Sequence, residues 1–262
     1  MHPNQQSPVL FQREKFHALS DKYKVITTQD LISRFEAAGY TVRSVQVKRA
    51  NQSARNGFQG HLVRLQRGDL KFKSVGDVIP EIILKNSYDG TSGVQIMLGI
   101  FRLVCSNGLI TGSMFSKHSI RHVGSAVDKV LSASQSIEAQ LPALEATLHQ
   151  WQRVELSEPA QIAFERKAFG LIIPAEINAS MVDQDRDFSA KRDADTKSDL
   201  WTVYNRIQER VLGGGIQYSY VDTDGKIVNN RTRQVKSIDR STQLNRALFD
   251  LAQSYTKEST NA

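Results

Sequence analysis

Between Tyr40 and His122 the apolar residues fall largely at every second position, and after Gly124 they fall at every third or fourth. A period of two belongs to half-buried strands and a period near 3.6 to helices, so this stretch must build a sheet first and helices after it. Val94, Ile96, Leu98 and Ile100 alternate cleanly. Val78 to Asn86 holds Ile79, Ile82, Ile83 and Leu84 in nearly continuous apolar sequence, as a strand covered on both faces does. Pro80 sets the sheet entry there, because its missing N–H is tolerated only at a strand start or an edge. Tyr40 and Val42 lie on one parity and Val45 and Val47 on the other, which predicts a bulge near Arg43-Ser44. A second strand is predicted over 59–67, a Gly-rich turn spans Tyr88 to Gly93, and Leu109 to His122 supplies one or two more strands.

Helix signals bracket this region. Thr27 and Thr28 offer an N-cap to a helix over 28–38 that ends at Gly39. Val127, Val130, Ser134, Ile137, Leu141, Leu144, Leu148 and Trp151 form the seam of a long amphipathic helix, which Pro142 should kink or split at Leu141. Ser157 and Pro159 open a shorter helix, and Leu200, Tyr204, Ile207 and Val211 mark another that Gly213-Gly-Gly215 stops. A hairpin is predicted around Asp222-Thr-Asp-Gly225, and Leu244, Leu248, Leu251 and Tyr255 share one face of a terminal helix. The order reads as an α+β fold, with an antiparallel, mostly meander sheet and the long helix and C-terminal helices packed on one side. Three parts follow: a partly ordered arm over 1–26, an α+β core domain over 27–156, and a mainly helical part over 157–262 that contains a solvated, charged loop at 183–199.

The 262 residues, 40% of them apolar, suffice for one large domain or two small ones. No apolar run approaches a membrane span and the first residues do not resemble a secretory leader, so a soluble, cytoplasmic protein without membrane partners is expected. The lone Cys105 excludes an internal disulfide and any cysteine-cluster metal site. His118 and His122 lie four apart but lack the glutamate of the zinc-protease pattern, and the local period is two, so they read as surface or subunit-contact histidines. Cys105 has no base near it in sequence. Asp183, Asp185 and Asp187 lack the glycine and closing glutamate of a calcium loop. Gly213-Gly-Gly215 follows a helix, the wrong polarity for a phosphate loop. No catalytic residue, metal site or cofactor is therefore assigned.

Charge is the stronger signal. The chain carries +7, and its cations cluster. Over 43–73 stand Arg43, Lys48, Arg49, Arg55, Arg64, Arg67, Lys71 and Lys73 against Asp69 alone; over 226–246 stand Lys226, Arg231, Arg233, Lys236, Arg240 and Arg246 against Asp239 alone. Arginines interleaved with Asn51, Gln52, Asn56, Asn229, Asn230 and Gln234 suit phosphate contacts. The expected nucleic-acid contacts are Arg43, Lys48, Arg49, Arg55 and Arg64 on the sheet side of a groove, Arg231, Arg233 and Lys236 closing over it, and Lys117 and Arg121 as additions. Phe58 and Tyr88, at or near turns, are candidates for stacking on unpaired bases.

Pro80-Glu-Ile-Ile-Leu-Lys-Asn-Ser-Tyr-Asp-Gly90 through Leu98-Gly-Ile-Phe-Arg-Leu-Val-Cys-Ser-Asn-Gly-Leu-Ile-Thr-Gly112 resembles the prophage- and plasmid-borne family filed as domain of unknown function 932. Asp199-Leu-Trp-Thr-Val-Tyr-Asn-Arg-Ile-Gln-Glu-Arg-Val-Leu-Gly-Gly-Gly and Leu244-Asn-Arg-Ala-Leu-Phe resemble the same family. The resemblance implies a bacterial mobile-element context near recombination or anti-defence genes, and no established reaction. In outline the chain is similar to single-strand annealing recombinases of the Red-beta and RecT kind. The expectation is a non-enzymatic, homo-oligomeric protein that binds single-stranded DNA. The alternative is an anti-defence inhibitor or adaptor with a host protein partner.

Overall fold

The computed structural model describes residues 7–50, 53–70, 72, 78–102, 108–110, 117–122, 126–174, 177, 183–184, 188 and 190–258. Asn51, Gln52, Lys71, Lys73, Cys105, Asp185 and Asp187 lie outside the described residues. The chain divides into two compact units, Met1–Glu145 and Ala146–Ala262.

The first unit holds α1 (Thr28–Ala37), β1 (Tyr40–Val47), β2 (His61–Arg67), β3 (Val78–Asn86), β4 (Val94–Arg102), β5 (Gly108–Ile110), β6 (Lys117–Ile120) and α2 (Ala126–Glu138). The first five strands pair in chain order as an antiparallel meander, and β6 also pairs β4. β5 takes Gly99–Phe101 of β4 and β6 takes Val94–Met97, so the last two strands share that edge end to end. The register of β1 on β2 shifts between Val42 and Ser44, so Arg43 is the extra residue that switches the buried parity from Tyr40 to Val45. Pro80 pairs Ile100 of β4 but lies beyond the end of the β2 pairing, where no donor is required. Val45, Val63, Leu65, Ile82, Leu84, Ile96 and Leu98 are buried on one face, and α1 and α2 pack against the sheet. Residues 8–11 form a short 3-10 turn whose Val9 and Leu10 are buried, so this part of the arm belongs to the core.

The predicted long helix is two. α2 ends at Glu138, and α3 (Leu141–Arg153) begins with Pro142 in its first turn, where a missing N–H costs nothing. The boundary between the units falls inside α3.

The second unit adds α4 (Glu158–Gly170), β7 (Asp183–Gln184), α5 (Leu200–Gly213), β8 (Gln217–Val221), β9 (Ile227–Arg231) and α6 (Ile238–Glu258). Its core centres on Trp151, which meets Phe249 at 4.6 Å and Tyr204 at 5.2 Å between ring centroids. Asp199 caps α5, accepting the Thr202 N–H at 2.9 Å. The described end of the expected solvated loop at 183–199 is mostly exposed, with Asp195 and Asp199 its buried acids. Asp195 is buried, and Arg192 donates to it at 3.0 Å and to Glu209 at 2.7 and 2.8 Å. The fork-shaped guanidinium of Arg192 thus compensates the one acid of the 193–195 turn that is buried. β7, β8 and β9 form a separate small antiparallel sheet.

Candidate nucleic-acid interface

In the first unit the cations divide by what surrounds them. Arg64 points its Nε and Nη2 at Glu81, at 2.6 and 2.8 Å, and Gln66 donates to the same carboxylate at 2.6 Å. The Arg64 side chain is 15% exposed and that of Glu81 1%. Arg64 is therefore removed from the expected groove: it is the partner of a buried carboxylate, which without it would be an uncompensated charge. Arg67 is tied to Asp69 at 2.7 Å and to Glu138 of α2 at 3.0 Å, with its guanidinium 5.0 Å from the Tyr40 ring centroid. Arg55 is half-buried, 3.9 Å from Asp89 and 5.4 Å from the Phe16 ring centroid.

Arg43 and Arg49 are exposed, and Lys48 between them is half-buried with its side chain along Gly60. All three lie on β1 or at its exit, at the outer edge of the sheet. Lys117 and Arg121 are also exposed, but β6 borders the other edge, four strand spacings away, or roughly 19 Å. The structure does not bring these two into the Arg43 patch.

Burial withdraws one of the two stacking candidates, Tyr88, while Phe58 is half-buried. Tyr88 is completely buried, and Phe58 packs edge-on against Phe16 with centroids 5.6 Å apart. Tyr88 instead joins a polar cluster that no spacing in the sequence announced. Its hydroxyl accepts the Thr28 N–H at 2.7 Å and donates to Thr28 Oγ1 at 2.8 Å, capping α1 from sixty residues away. The Gln59 carbonyl accepts from His61 Nδ1, so the bare Nε2 accepts the Thr28 hydroxyl proton at 2.7 Å. Asn86 donates to Thr28 Oγ1 at 2.9 Å, and His122 Nε2 donates to Asn86 Oδ1 at 2.9 Å. His122, read from sequence as a surface or contact residue, is buried and stacked on Tyr23 at 4.6 Å. Burial pushes both His61 and His122 down to about 4, so both are neutral at physiological pH. The cluster is largely closed to solvent and ties Thr28 at the start of α1 to β2 and β3, which suits it to holding α1 on the sheet. Among the described residues no group of three His, Cys, Asp or Glu side chains is placed to hold a metal ion.

In the second unit Arg231, Arg233 and Lys236 are all exposed, and among the described residues no carboxylate pairs with them. Gly213-Gly-Gly215 fixes this segment. Gly215 N–H donates to Thr232 and its carbonyl accepts Arg231 Nε at 3.1 Å, while Val235 N–H reaches back to Leu212 of α5. Beside them Gln217, Tyr218, Ser219, Asn229, Asn230 and Arg231 line a concavity of about 400 Å³ on the small sheet. Gln217 and Ser219 were missed from the sequence; the signal present there is their alternation with Tyr218 and Tyr220.

An antiparallel meander with helices beside it, followed by a helical unit that carries a small antiparallel sheet, defines an α+β protein with exposed cations along β1 and after β9. The chain belongs to the family described as domain of unknown function (DUF932), which matches residues 15–249. It is 32% identical over 246 residues to the UPF0380 protein YafZ of Escherichia coli K12, covering 94% of this chain and 87% of that protein. The UPF0380 protein YfjQ of the same organism is 31% identical over 246 residues, with the same coverage. No solved structure matches the chain. No helix among the described residues is long and apolar enough to cross a membrane.

Proposed function

We propose that this is a non-enzymatic, cytoplasmic protein of a mobile genetic element that binds single-stranded DNA in recombination or annealing, as an oligomer. One observation carries the reading. Carboxylates sit on Arg64, Arg67 and Arg192, and on the exposed Arg13 and Arg34, while Arg43, Arg49, Arg231, Arg233 and Lys236 stand in water with no carboxylate partner among the described residues. Surface cations serving only solubility are commonly interspersed with acids. Runs without acids attract a polyanion and release its counterions on binding. The test is fluorescence anisotropy of a labelled single strand at two salt concentrations, with the expected log-log slope about 0.7 for each phosphate contacted. Absence of binding at low salt would overturn the reading. It would favour an adaptor for a host protein, to which the exposed Val221 and Ile227 pair would then belong.

A further inference from the structure

We propose that the outer edge of β9 is a self-association site, where a second copy of this chain adds its own β9 antiparallel about a two-fold axis. The site gives the oligomer of the reading above its interface and rests on that part of it alone, not on the DNA. β9 is one end of the β7–β8–β9 sheet, and the strand at the other end, β7, is only Asp183–Gln184. Along β9 the bonds to β8 fall on alternate residues. Thr232 N–H donates to Ile216 and Asp222 N–H to the Lys226 carbonyl at the two ends of one unbroken register, so residues 226, 228, 230 and 232 face β8. Ile227, Asn229 and Arg231 therefore aim their backbone groups outward. The Arg231 N–H is already taken, by Asn230 Oδ1 at 2.8 Å. The outward groups of Ile227 and Asn229 have no partner among the described residues.

Edge strands commonly block such pairing with a bulge, a proline or a charge in mid-strand. β1, an edge of the larger sheet, has its bulge at Arg43, whereas residues 227–230 have none of these. Two features select a second copy as the occupant. The first is the register. Only Ile227 and Asn229 keep an outward donor and acceptor together, so the pairing that satisfies both sets Ile227 opposite the partner's Asn229 and Val228 opposite the partner's Val228. It also makes the two Ile227 side chains diagonal neighbours on one face, roughly 7–8 Å apart. Val221 and Ile227 pair directly across β8 and β9 and are 59% and 74% exposed, so the two such pairs join into one apolar patch. The second feature is charge. The turn before β9 carries Asp222 and Asp224, and the far end of the strand leads through Arg231 and Arg233 to Lys236. Antiparallel pairing lays each acidic turn beside the partner's basic end, where a parallel pairing would set like beside like. Cations outnumber acids along this stretch, so the joined surface stays positive.

The experiment is sedimentation of the full chain over a concentration series. A contact along one strand edge falls below the roughly 1,000 Å² of a stable interface, so association should be reversible and rise with concentration. Asn229→Pro removes an outward N–H and none that faces β8, so it should keep the fold, checked by circular dichroism, and weaken association on the order of 10-fold or more. In a chain whose single cysteine is replaced, Cys105→Ser, Val228→Cys should give a disulfide-linked dimer under mild oxidation. The two 228 positions meet at a non-hydrogen-bonded pair, with Cα atoms about 4.5 Å apart and within bridging range. Asn230→Cys, set opposite the partner's Lys226, should not cross-link. A chain that stays monomeric throughout overturns the site together with the oligomer, and leaves the β9 edge to a strand of another protein. Association unchanged in folded Asn229→Pro, or cross-linking at 230 equal to that at 228, overturns the site and moves the oligomer to another surface. The cysteine pair decides the register even where the proline variant fails to fold. Single-strand binding is scored separately by anisotropy, so its loss refutes the DNA reading and not this site.

Discussion

Glu81 is a carboxylate in the middle of β3, held out of water by three hydrogen bonds from Arg64 and Gln66. Glu81→Ala would remove the buried carboxylate that Arg64 and Gln66 both bond, and is expected to cost about 3–5 kcal/mol in urea unfolding. The histidine cluster sets the pH response. His61 and His122 are held near 4 when folded and return to about 6.5 when unfolded, so between those values the unfolded chain binds more protons. Stability is therefore full above pH 6.5 and falls as the pH drops toward 4, by on the order of 3 kcal/mol for each histidine. A urea midpoint unchanged between pH 7 and pH 5 would contradict this. Neither feature was legible in sequence. A glutamate flanked by isoleucines and two histidines four apart name no partners, since each partner comes from another strand or from the entrance to α1.

Elements were easier to read than their ends. The parity switch in β1 located the bulge at Arg43, because the side-chain period of a strand is rigid and an inserted residue must invert it. Pro142 correctly divided the long helix. Caps were harder. Thr27 was an expected N-cap but makes no side-chain capping bond, and the hydroxyl of Tyr88 serves α1 instead. At the other end of a helix, Gly214 lies at φ +69, and a Cβ there would fall 2.5 Å from the backbone of Arg233 and Gln234. Gly214→Ala thus combines a strained backbone with a clash that no rotamer relieves. It is expected to destabilise by more than about 1 kcal/mol, to push the Arg233–Lys236 segment off α5, and to weaken single-strand binding. Thermal unfolding and anisotropy on the same sample check both effects.

For the molecule as a whole, the exposed cations of the β1 and β9 segments lie in different units, so their contributions to binding are separable. Arg43→Ala/Arg49→Ala and Arg231→Ala/Arg233→Ala are each expected to reduce the salt slope by up to about 1.4, two phosphates' worth. Arg64→Ala, by contrast, should leave the slope alone and lower stability, because its charge is already neutralised. Identical slopes in all three variants would refute this division of the cations. The sequence by itself determined the α+β order, the strand parities, the split helix and the presence of two cationic stretches, since periodicity, proline and net charge act locally along the chain. Only the tertiary structure decided which cations face water. A carboxylate neutralises an arginine by lying within a few ångströms of it, and strand register, not distance along the chain, placed Glu81 beside Arg64 and left Arg231 open.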